Sequence, residues 1–147
     1  IVAATNIFSK EYYESFLQEK NVEFVFDETY ALLSNAVAAV VTSGTASLEA
    51  ALFKVPQVVC YKTNWVTYIL AKNLINIKYL SLVNILMDKL VVKELIQADF
   101  NEINIKQELD ILLNKQESML NDYNKLSDLL NKKGASKNAA EFILSFY

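Results

Sequence analysis

The 147-residue sequence contains no histidine and no arginine, and all 14 of its basic residues are lysines. The absence of histidine removes the commonest general base and metal ligand near neutral pH. The net charge is −3, whereas a nucleic-acid groove usually carries a basic excess, so we expect no nucleic-acid partner. The sequence also shows no spacing of metal ligands, and we expect neither a metal nor a cofactor.

Cysteine and long apolar stretches are equally scarce. The single cysteine, Cys60, stands inside an apolar run and is interpreted as a small core residue. It cannot form an internal disulfide, which fits a cytoplasmic protein. No run approaches the ~18 apolar residues that span a bilayer, and Ile1–Thr5 lacks the pattern of a signal peptide. Because this strand-like start has no initiator methionine, we expect a piece of a longer protein.

The first hundred residues alternate between short apolar runs and amphipathic segments. This alternation predicts an α/β fold, a Rossmann-like parallel sheet with helices on both faces. Because the chain has only two glycines and one proline, we predict one domain, with a βα core over residues 1–98 and a helical C-terminal tail over 99–147. The predicted strands are Ile1–Thr5, Val22–Phe26, Ala36–Thr42, Gln57–Tyr61 and Lys78–Leu82. The predicted helices are Ser9–Lys20 (with Tyr13, Phe16 and Leu17 inward), Thr29–Ser34, Thr45–Lys54, Trp65–Ile75 capped by Asn64, Val91–Ala98, Ile105–Asn114, Gln116–Leu130 and Ala139–Tyr147 capped by Ser136.

The stretch from Ser43 to Ala46 carries the clearest functional signal. Gly44 separates the apolar run Ala36–Val41, a predicted buried strand, from the helix that begins at Thr45. Open parallel sheets bind their ligands at this carboxyl end of the strands. The free N–H groups of a helix's first turn and the helix dipole favour an anion there. We therefore predict a phosphate or diphosphate over this turn.

Three charged residues are candidates for the same ligand. Glu49 lies about one and a half turns into the helix, too deep for a capping box. It is either a solvated residue or an acceptor for sugar hydroxyls beside the phosphate. Lys62 and Lys89 could neutralise phosphate charge, although a lone lysine is more often simply a surface residue.

A second set of polar residues follows the predicted strand Lys78–Leu82. Asn84 comes just after this strand, at a predicted carboxyl end. Glu94 and Gln97 are three residues apart on one face of the predicted helix Val91–Ala98. The spacing leaves two interpretations open for this pair, solvent exposure and contact with a ligand.

Together these segments resemble, in order and spacing, the lipid-A-disaccharide synthase family. The resemblance covers roughly residues 36 to 100, and the flanks fit only in their pattern of helices and strands. The segments that carry it are Val40–Leu52, Val55–Val59, Tyr61–Lys62, Leu70–Lys72, Ser81–Leu86 and Val91–Gln97.

The resemblance implies the C-terminal, nucleotide-sugar-binding half of an inverting GT-B-type glycosyltransferase. This family transfers 2,3-diacylglucosamine from UDP to 2,3-diacylglucosamine 1-phosphate, which yields UDP and the β-1,6 lipid A disaccharide. The implied partners are UDP-diacylglucosamine, the lipid monosaccharide 1-phosphate and, peripherally, the cytoplasmic surface of the inner membrane. The acceptor-binding N-terminal half, with the family's proposed catalytic base, is absent from this sequence, so we expect the chain alone to be inactive.

The resemblance also assigns residues to the UDP-sugar. Lys62 and Lys89 stand where the family often has arginine, and lysine keeps the charge without arginine's planar fork. Val83 stands at a position that is usually proline. The implied donor-binding residues are Ser43, Gly44, Thr45, Ala46, Glu49, Lys62, Asn84, Lys89, Glu94 and Gln97.

Two other functions remain open from the sequence. A UDP-sugar 2-epimerase also places a serine-glycine turn and a glutamate at a diphosphate, but histidine and arginine are expected at such a site. A non-catalytic α/β module that binds a partner through the leucine-rich C-terminal helices is the other alternative, and a nucleotide titration separates it from both enzymes.

The resemblance further predicts two open sheet edges. A Rossmann-like half has its first strand in the middle of the sheet, whereas this sequence starts at the second strand. Ile1–Thr5 and Ala36–Thr42 would each keep an unpaired edge, and such edges recruit other strands. We predict that these two strands pair directly, or that another copy of the chain fills the gap by strand or helix exchange in a homo-oligomer.

Overall fold

A computed structural model describes residues 1–17, 21–42, 44–65, 67–68, 78–114, 116–131 and 134–146 of the chain. The strands are β1 (Val2–Ala4), β2 (Phe24–Phe26), β3 (Ala39–Thr42), β4 (Gln57–Tyr61) and β5 (Lys93–Ile96). The helices are α1 (Lys10–Glu14), α2 (Thr29–Asn35), α3 (Thr45–Leu52), α4 (Leu82–Met87), α5 (Glu102–Asn114), α6 (Glu117–Leu130) and α7 (Ala135–Leu144), with a 3₁₀ turn at Gln97–Asp99.

The strands of these described residues form two parallel sheets. β1 pairs with β2, and the second sheet has the order β3-β4-β5. In the second sheet Thr42 lies opposite Cys60, and Tyr61 lies opposite Ile96. The predicted α/β architecture with a Rossmann-like parallel sheet is therefore confirmed.

Successive residues of β4 enter the cores on the two faces of the second sheet. Val59 packs with Ala51 of α3 and with Tyr123 and Leu126 of α6. Val58 and Cys60 face the other way and pack with Leu95 of β5 and Leu112 of α5. Helices thus cover both faces of this sheet, as predicted.

The predicted core role of Cys60 is confirmed. Its side chain is buried and unpaired. Burial raises the pKa of the thiol, which keeps it protonated and a poor nucleophile at neutral pH.

Two predictions between residues 78 and 98 are wrong. Residues 78–81 are irregular rather than a strand, and the Ser81 side chain caps α4. The predicted helix Val91–Ala98 is the strand β5 followed by the 3₁₀ turn. The helical spacing of its apolar residues is overridden because Leu95 pairs with Cys60 in the sheet and is buried there.

The N-terminal helix differs in length and packing from the prediction. Ser9 caps α1, which ends at Glu14, and residues 18–20 of the predicted helix lie outside the described part. Tyr13 faces inward, with its ring near Phe24 and Phe26 and its hydroxyl bonded to Thr5. Phe16 is exposed, so its predicted inward position is wrong.

The strand β3 is shorter and less buried than predicted. It begins at Ala39 rather than Ala36, and its side chains alternate between half-buried and exposed. Val40 is 47% exposed, although its partner Val58 is fully buried. β3 is an edge strand of its sheet. Direct pairing of β1 with β3 does not occur among the described strands, so that part of the edge prediction is wrong.

The C-terminal helices α5 and α6 lie where the leucine spacing predicts them. The last helix begins earlier than predicted, directly after Gly134, so Ser136 lies inside its first turn and is not its cap. The side chains described for α7 are all exposed. The predicted helix Trp65–Ile75 falls mostly outside the described residues; Tyr68 N donates to the Asn64 carbonyl at its start.

Candidate functional site

The turn between β3 and α3 depends on glycine. Gly44 has φ 128° and ψ −153°, a backbone conformation that L side chains rarely adopt. A Cβ placed on it would meet no atom within 4 Å, so the glycine is required by its backbone angles and not by crowding. Ser47 secures the turn by donating from its Oγ to the Gly44 carbonyl at 2.7 Å. Ser43 lies outside the described residues.

The amino end of α3 is suited to an anion. The helix is eight residues long and has no acidic residue in its first turn. Thr45 is exposed and Ala46 half-buried. The backbone N–H groups of Thr45 and Ala46 precede the first helical bonds, so they can point at a ligand.

Glu49 lies on the same side of α3 as Thr45. The two residues are four apart, which places them one helical turn from each other. Glu49 is half-buried, and its carboxylate makes no hydrogen bond or ion pair among the contacts of the described residues. It is therefore available to a group bound near the turn.

Lys62 lies at the same carboxyl edge of the sheet as this turn. Thr42 is opposite Cys60 in the last pair of β3 and β4, so Gly44 and Lys62 both follow the ends of these adjacent strands. Adjacent strands are about 4.8 Å apart. Lys62 is exposed, and within the described part of the chain its ammonium has no acidic partner.

Gln97 reaches the same edge from β5, where it binds the backbone next to Lys62. Its Nε2 donates to the Thr63 carbonyl at 3.0 Å, and its Oε1 accepts from the Thr63 N–H at 2.7 Å. Thr63 was missed in the sequence because its role depends on its backbone groups.

Asn84 is fully buried and ties α4 to β5. Its Nδ2 donates to the Val92 carbonyl at 2.9 Å and to Glu94 Oε1 at 2.8 Å. Its Oδ1 accepts from the N–H groups of Val91 at 2.8 Å and Val92 at 2.9 Å. Both N–H groups and both lone pairs of this amide are therefore used within the protein.

Glu94 is half-buried and organises the segment before α4. Its carboxylate accepts from the N–H of Leu80 at 3.1 Å and from the N–H of Ser81 at 2.9 Å. Ser81 Oγ in turn accepts from Asn84 N at 3.2 Å. Glu94 and Asn84 thus form an internal network that shapes the loop. The predicted placement of Glu94 and Gln97 on one helix face is wrong, because Glu94 lies in β5 and Gln97 begins the 3₁₀ turn.

Lys89 is placed away from this group. It precedes β5 and thus lies at the amino edge of the parallel sheet, opposite to the edge of Gly44. Its Nζ binds Asp122 Oδ2 of α6 at 2.5 Å, and Lys125 binds the other oxygen at 3.3 Å. These hydrogen bonds, that of Lys89 first, lower the pKa of the Asp122 carboxyl.

A buried glutamine connects the turn to the C-terminal helices. Gln57 is fully buried, and its Nε2 donates to the Ser47 carbonyl at 2.9 Å and to the Tyr123 hydroxyl at 3.1 Å. Burial raises the pKa of Tyr123. The signal in the sequence is a glutamine at the start of an otherwise apolar strand.

The described residues contain no group of three or more His, Cys, Asp or Glu side chains that could hold a metal ion. Their helices also include none that is long and apolar enough to cross a membrane.

Comparison with known proteins identifies the family. The family model for lipid-A-disaccharide synthetase matches residues 1–145. The chain belongs to the lipid-A-disaccharide synthase family. It is 42% identical over 122 residues to the lipid-A-disaccharide synthase of Psychromonas ingrahamii, covering 82% of this chain and 32% of that protein. It is 35% identical over 130 residues to the enzyme of Sulfurihydrogenibium sp., covering 86% and 34%.

The chain therefore spans about a third of the length of the curated lipid-A-disaccharide synthases that it matches. Of the families considered from the sequence, the comparisons match lipid-A-disaccharide synthase.

Proposed function

We propose that the chain is the donor-binding part of a glycosyltransferase of lipid A synthesis. The donor is UDP-2,3-diacylglucosamine, the acceptor is 2,3-diacylglucosamine 1-phosphate, and the products are the β-1,6 disaccharide and UDP. The observation that carries this proposal is the amino end of α3 after Gly44, which has no acidic residue in its first turn. This end lies at the carboxyl edge of the sheet, and the chain belongs to this family.

The proposed site holds the diphosphate over Ser43–Ala46. The N–H groups at the start of α3 and the Lys62 ammonium stabilise its negative charge. Glu49 accepts hydrogen bonds from ribose hydroxyls one turn further along α3. Glu94 and Asn84 shape the loop at the neighbouring strand, and Lys89 supports the fold at the opposite edge.

In the proposed reaction an acceptor hydroxyl attacks the anomeric carbon of the donor sugar. A new C–O bond forms on one face while the C–O bond to the diphosphate breaks on the other, so the configuration is inverted. The electron pair leaves with UDP, and the hydroxyl proton passes to a base that we place in the N-terminal half of longer family members. The contribution of this chain is to stabilise the charge that develops on the departing diphosphate.

The lipid acceptor sets the proposed location. Both substrates carry acyl chains, so we propose that the complete enzyme works at the cytoplasmic surface of the inner membrane as a peripheral protein.

The decisive experiment is a calorimetric titration of the chain with UDP and with inorganic diphosphate. The Glu49→Gln variant should weaken UDP about ten- to a hundredfold, since one charge-assisted hydrogen bond contributes about 1.5–3 kcal/mol. Diphosphate has no ribose and should be much less affected.

The matched control is Glu117→Gln, which changes an exposed glutamate in the first turn of α6 and should leave both affinities unchanged. If the parent chain binds neither ligand, the proposed function is wrong. Equal weakening of both ligands by Glu49→Gln would leave the site but remove the ribose role.

A further inference from the structure

The hydrogen bonding between β4 and β5 continues beyond the end of both strands. The last paired residues are Tyr61 and Ile96. Directly after Ile96 the chain turns away, because Gln97 takes φ 54° and begins the 3₁₀ turn. The backbone of Gln97 therefore cannot continue the ladder opposite Lys62 and Thr63.

The side chain of Gln97 takes the place of this missing backbone. A primary amide offers the same C=O and N–H groups as a peptide unit. Its Oε1 accepts from the Thr63 N–H at 2.7 Å and its Nε2 donates to the Thr63 carbonyl at 3.0 Å, so it satisfies both backbone groups that a neighbouring strand would otherwise bind. The backbone is thus held on both sides of Lys62, at Tyr61 by β5 and at Thr63 by the Gln97 side chain.

We propose that Gln97 is a positioning residue for Lys62, and that it acts on the UDP diphosphate through this lysine. The inference rests on the proposed function, because it assigns Lys62 to that diphosphate. Lysine has a long, flexible side chain whose ordering is costly. A fixed backbone on both sides reduces the positions open to its ammonium at the carboxyl edge of the sheet. Within the described part of the chain, the two hydrogen bonds of the Gln97 amide both go to Thr63, the residue next to Lys62, which is why we assign its contribution to Lys62.

The test is a double-mutant cycle on UDP binding with Gln97→Met, Lys62→Met and the double variant. Methionine keeps the length of glutamine without its hydrogen bonds. Gln97→Met should weaken UDP about three- to tenfold in the parent and less than twofold when Lys62 is already methionine. Gln107→Met, which alters an exposed glutamine of α5, is the control and should change nothing.

Other outcomes overturn the inference in distinct ways. If each substitution lowered the UDP affinity by the same factor with or without the other, Gln97 would act independently of Lys62, by contacting UDP itself. An unchanged UDP affinity together with a lower melting temperature would mean that Gln97 only supports the fold. If the parent does not bind UDP, the proposed function has failed first.

A second measurement needs no variant. The Thr63 amide of the parent should exchange its hydrogen at least tenfold more slowly than the amide of a freely exposed residue, because it donates to Gln97. Exchange at the rate of an exposed amide would show that the hydrogen bond from Thr63 to Gln97 does not form in solution. The amide order parameters of Lys62 and Thr63 should also fall in Gln97→Met, where it folds.

Discussion

The two lysines interpreted as neutralising phosphate differ in what surrounds each ammonium. Lys62 lies at the carboxyl edge and has no acidic partner among the described side chains, whereas Lys89 lies at the amino edge and binds Asp122. The sequence gives both the same charge and no means of separating them. Their difference comes from the direction of the parallel strands, which places residues before and after a strand at opposite edges of the sheet.

We therefore predict opposite consequences of the same substitution. Lys62→Met should weaken UDP about tenfold or more, since a hydrogen bond to a charged group contributes about 1.5–3 kcal/mol, and should leave unfolding unchanged. Lys89→Met should leave UDP affinity unchanged. Titration calorimetry on both variants measures this. A loss of UDP affinity in Lys89→Met would show that Lys89 contributes to UDP binding after all.

The ion pair of Lys89 with Asp122 predicts a pH dependence of stability. The pKa of Asp122 is lowered in the folded chain. A lowered pKa contributes stability that is present above the unfolded value of about 3.9 and is lost as the pH falls through the folded value. Lys89 is 55% exposed on its side chain and Lys125 remains, so we expect Lys89→Met to cost only about 1 kcal/mol at pH 7.

This cost should shrink towards zero as the pH falls below the lowered pKa of folded Asp122, where its carboxyl is protonated in parent and variant alike. Urea unfolding of both proteins at pH 7 and at low pH measures it. A cost that is the same at both pH values would indicate that Lys89 stabilises through packing of its stem.

Among the elements, α3 connects the fold most directly to the site. Its first turn is held by Ser47, whose carbonyl binds Gln57 and whose hydroxyl binds Gly44. Its buried face packs against β4 through Ala51. The N–H groups of the turn are therefore fixed by the sheet, which would reduce the entropy cost of the proposed binding.

Substitution of the two glycines tests this turn. Gly44→Ala forces a side chain into φ 128° and should lower stability and UDP affinity together. Gly134→Ala imposes a similar strain at φ 90°, at the start of α7. We expect it to lower stability by about 1 kcal/mol without changing UDP affinity. Thermal unfolding and calorimetry on both variants measure this, and unchanged UDP binding in Gly44→Ala would place the ligand elsewhere.

How far the elements follow from the sequence varies along the chain. β4, α3, α5 and α6 carry strong local signals, namely an apolar run, a glycine turn and leucines at helical spacing, and the structure matches these predictions. β5 carries no such signal, because the spacing of Val91, Val92 and Leu95 also fits a helix. Only pairing with β4, a contact distant in sequence, makes that segment a strand.

The residues of the candidate site also divide into those with a local signal in the sequence and those without one. Gly44 and its strand-to-helix turn are predictable, since a glycine between an apolar strand and a helix has a local cause. The roles of Asn84 and Gln97 are not, because each binds backbone groups of another segment. The sequence shows that these residues follow predicted strands or lie near one another in the chain, but it does not show whether their amides face a ligand or the protein.

At the scale of the whole molecule, the described strands form two separate sheets, each with unpaired edges. Their orders are β2-β1 and β3-β4-β5, and these would join into the doubly wound order 3-2-1-4-5-6 if a further strand lay between β1 and β3. Val40 on the edge strand β3 is 47% exposed, and Phe142 and Phe146 near the C-terminus are 65% and 72% exposed. Such apolar surface and unpaired strand edges favour association.

We predict that a further strand pairs between β1 and β3, either from a longer polypeptide or from another copy of the chain. The 147-residue chain should then self-associate and unfold at lower urea than a longer version that adds a preceding strand and helix of the family. The urea slope should also be larger for the longer version, because it buries more surface. Light scattering and urea titration of the two proteins measure this. A monomeric 147-residue chain with the same midpoint and slope as the longer version would show that no strand belongs in that position.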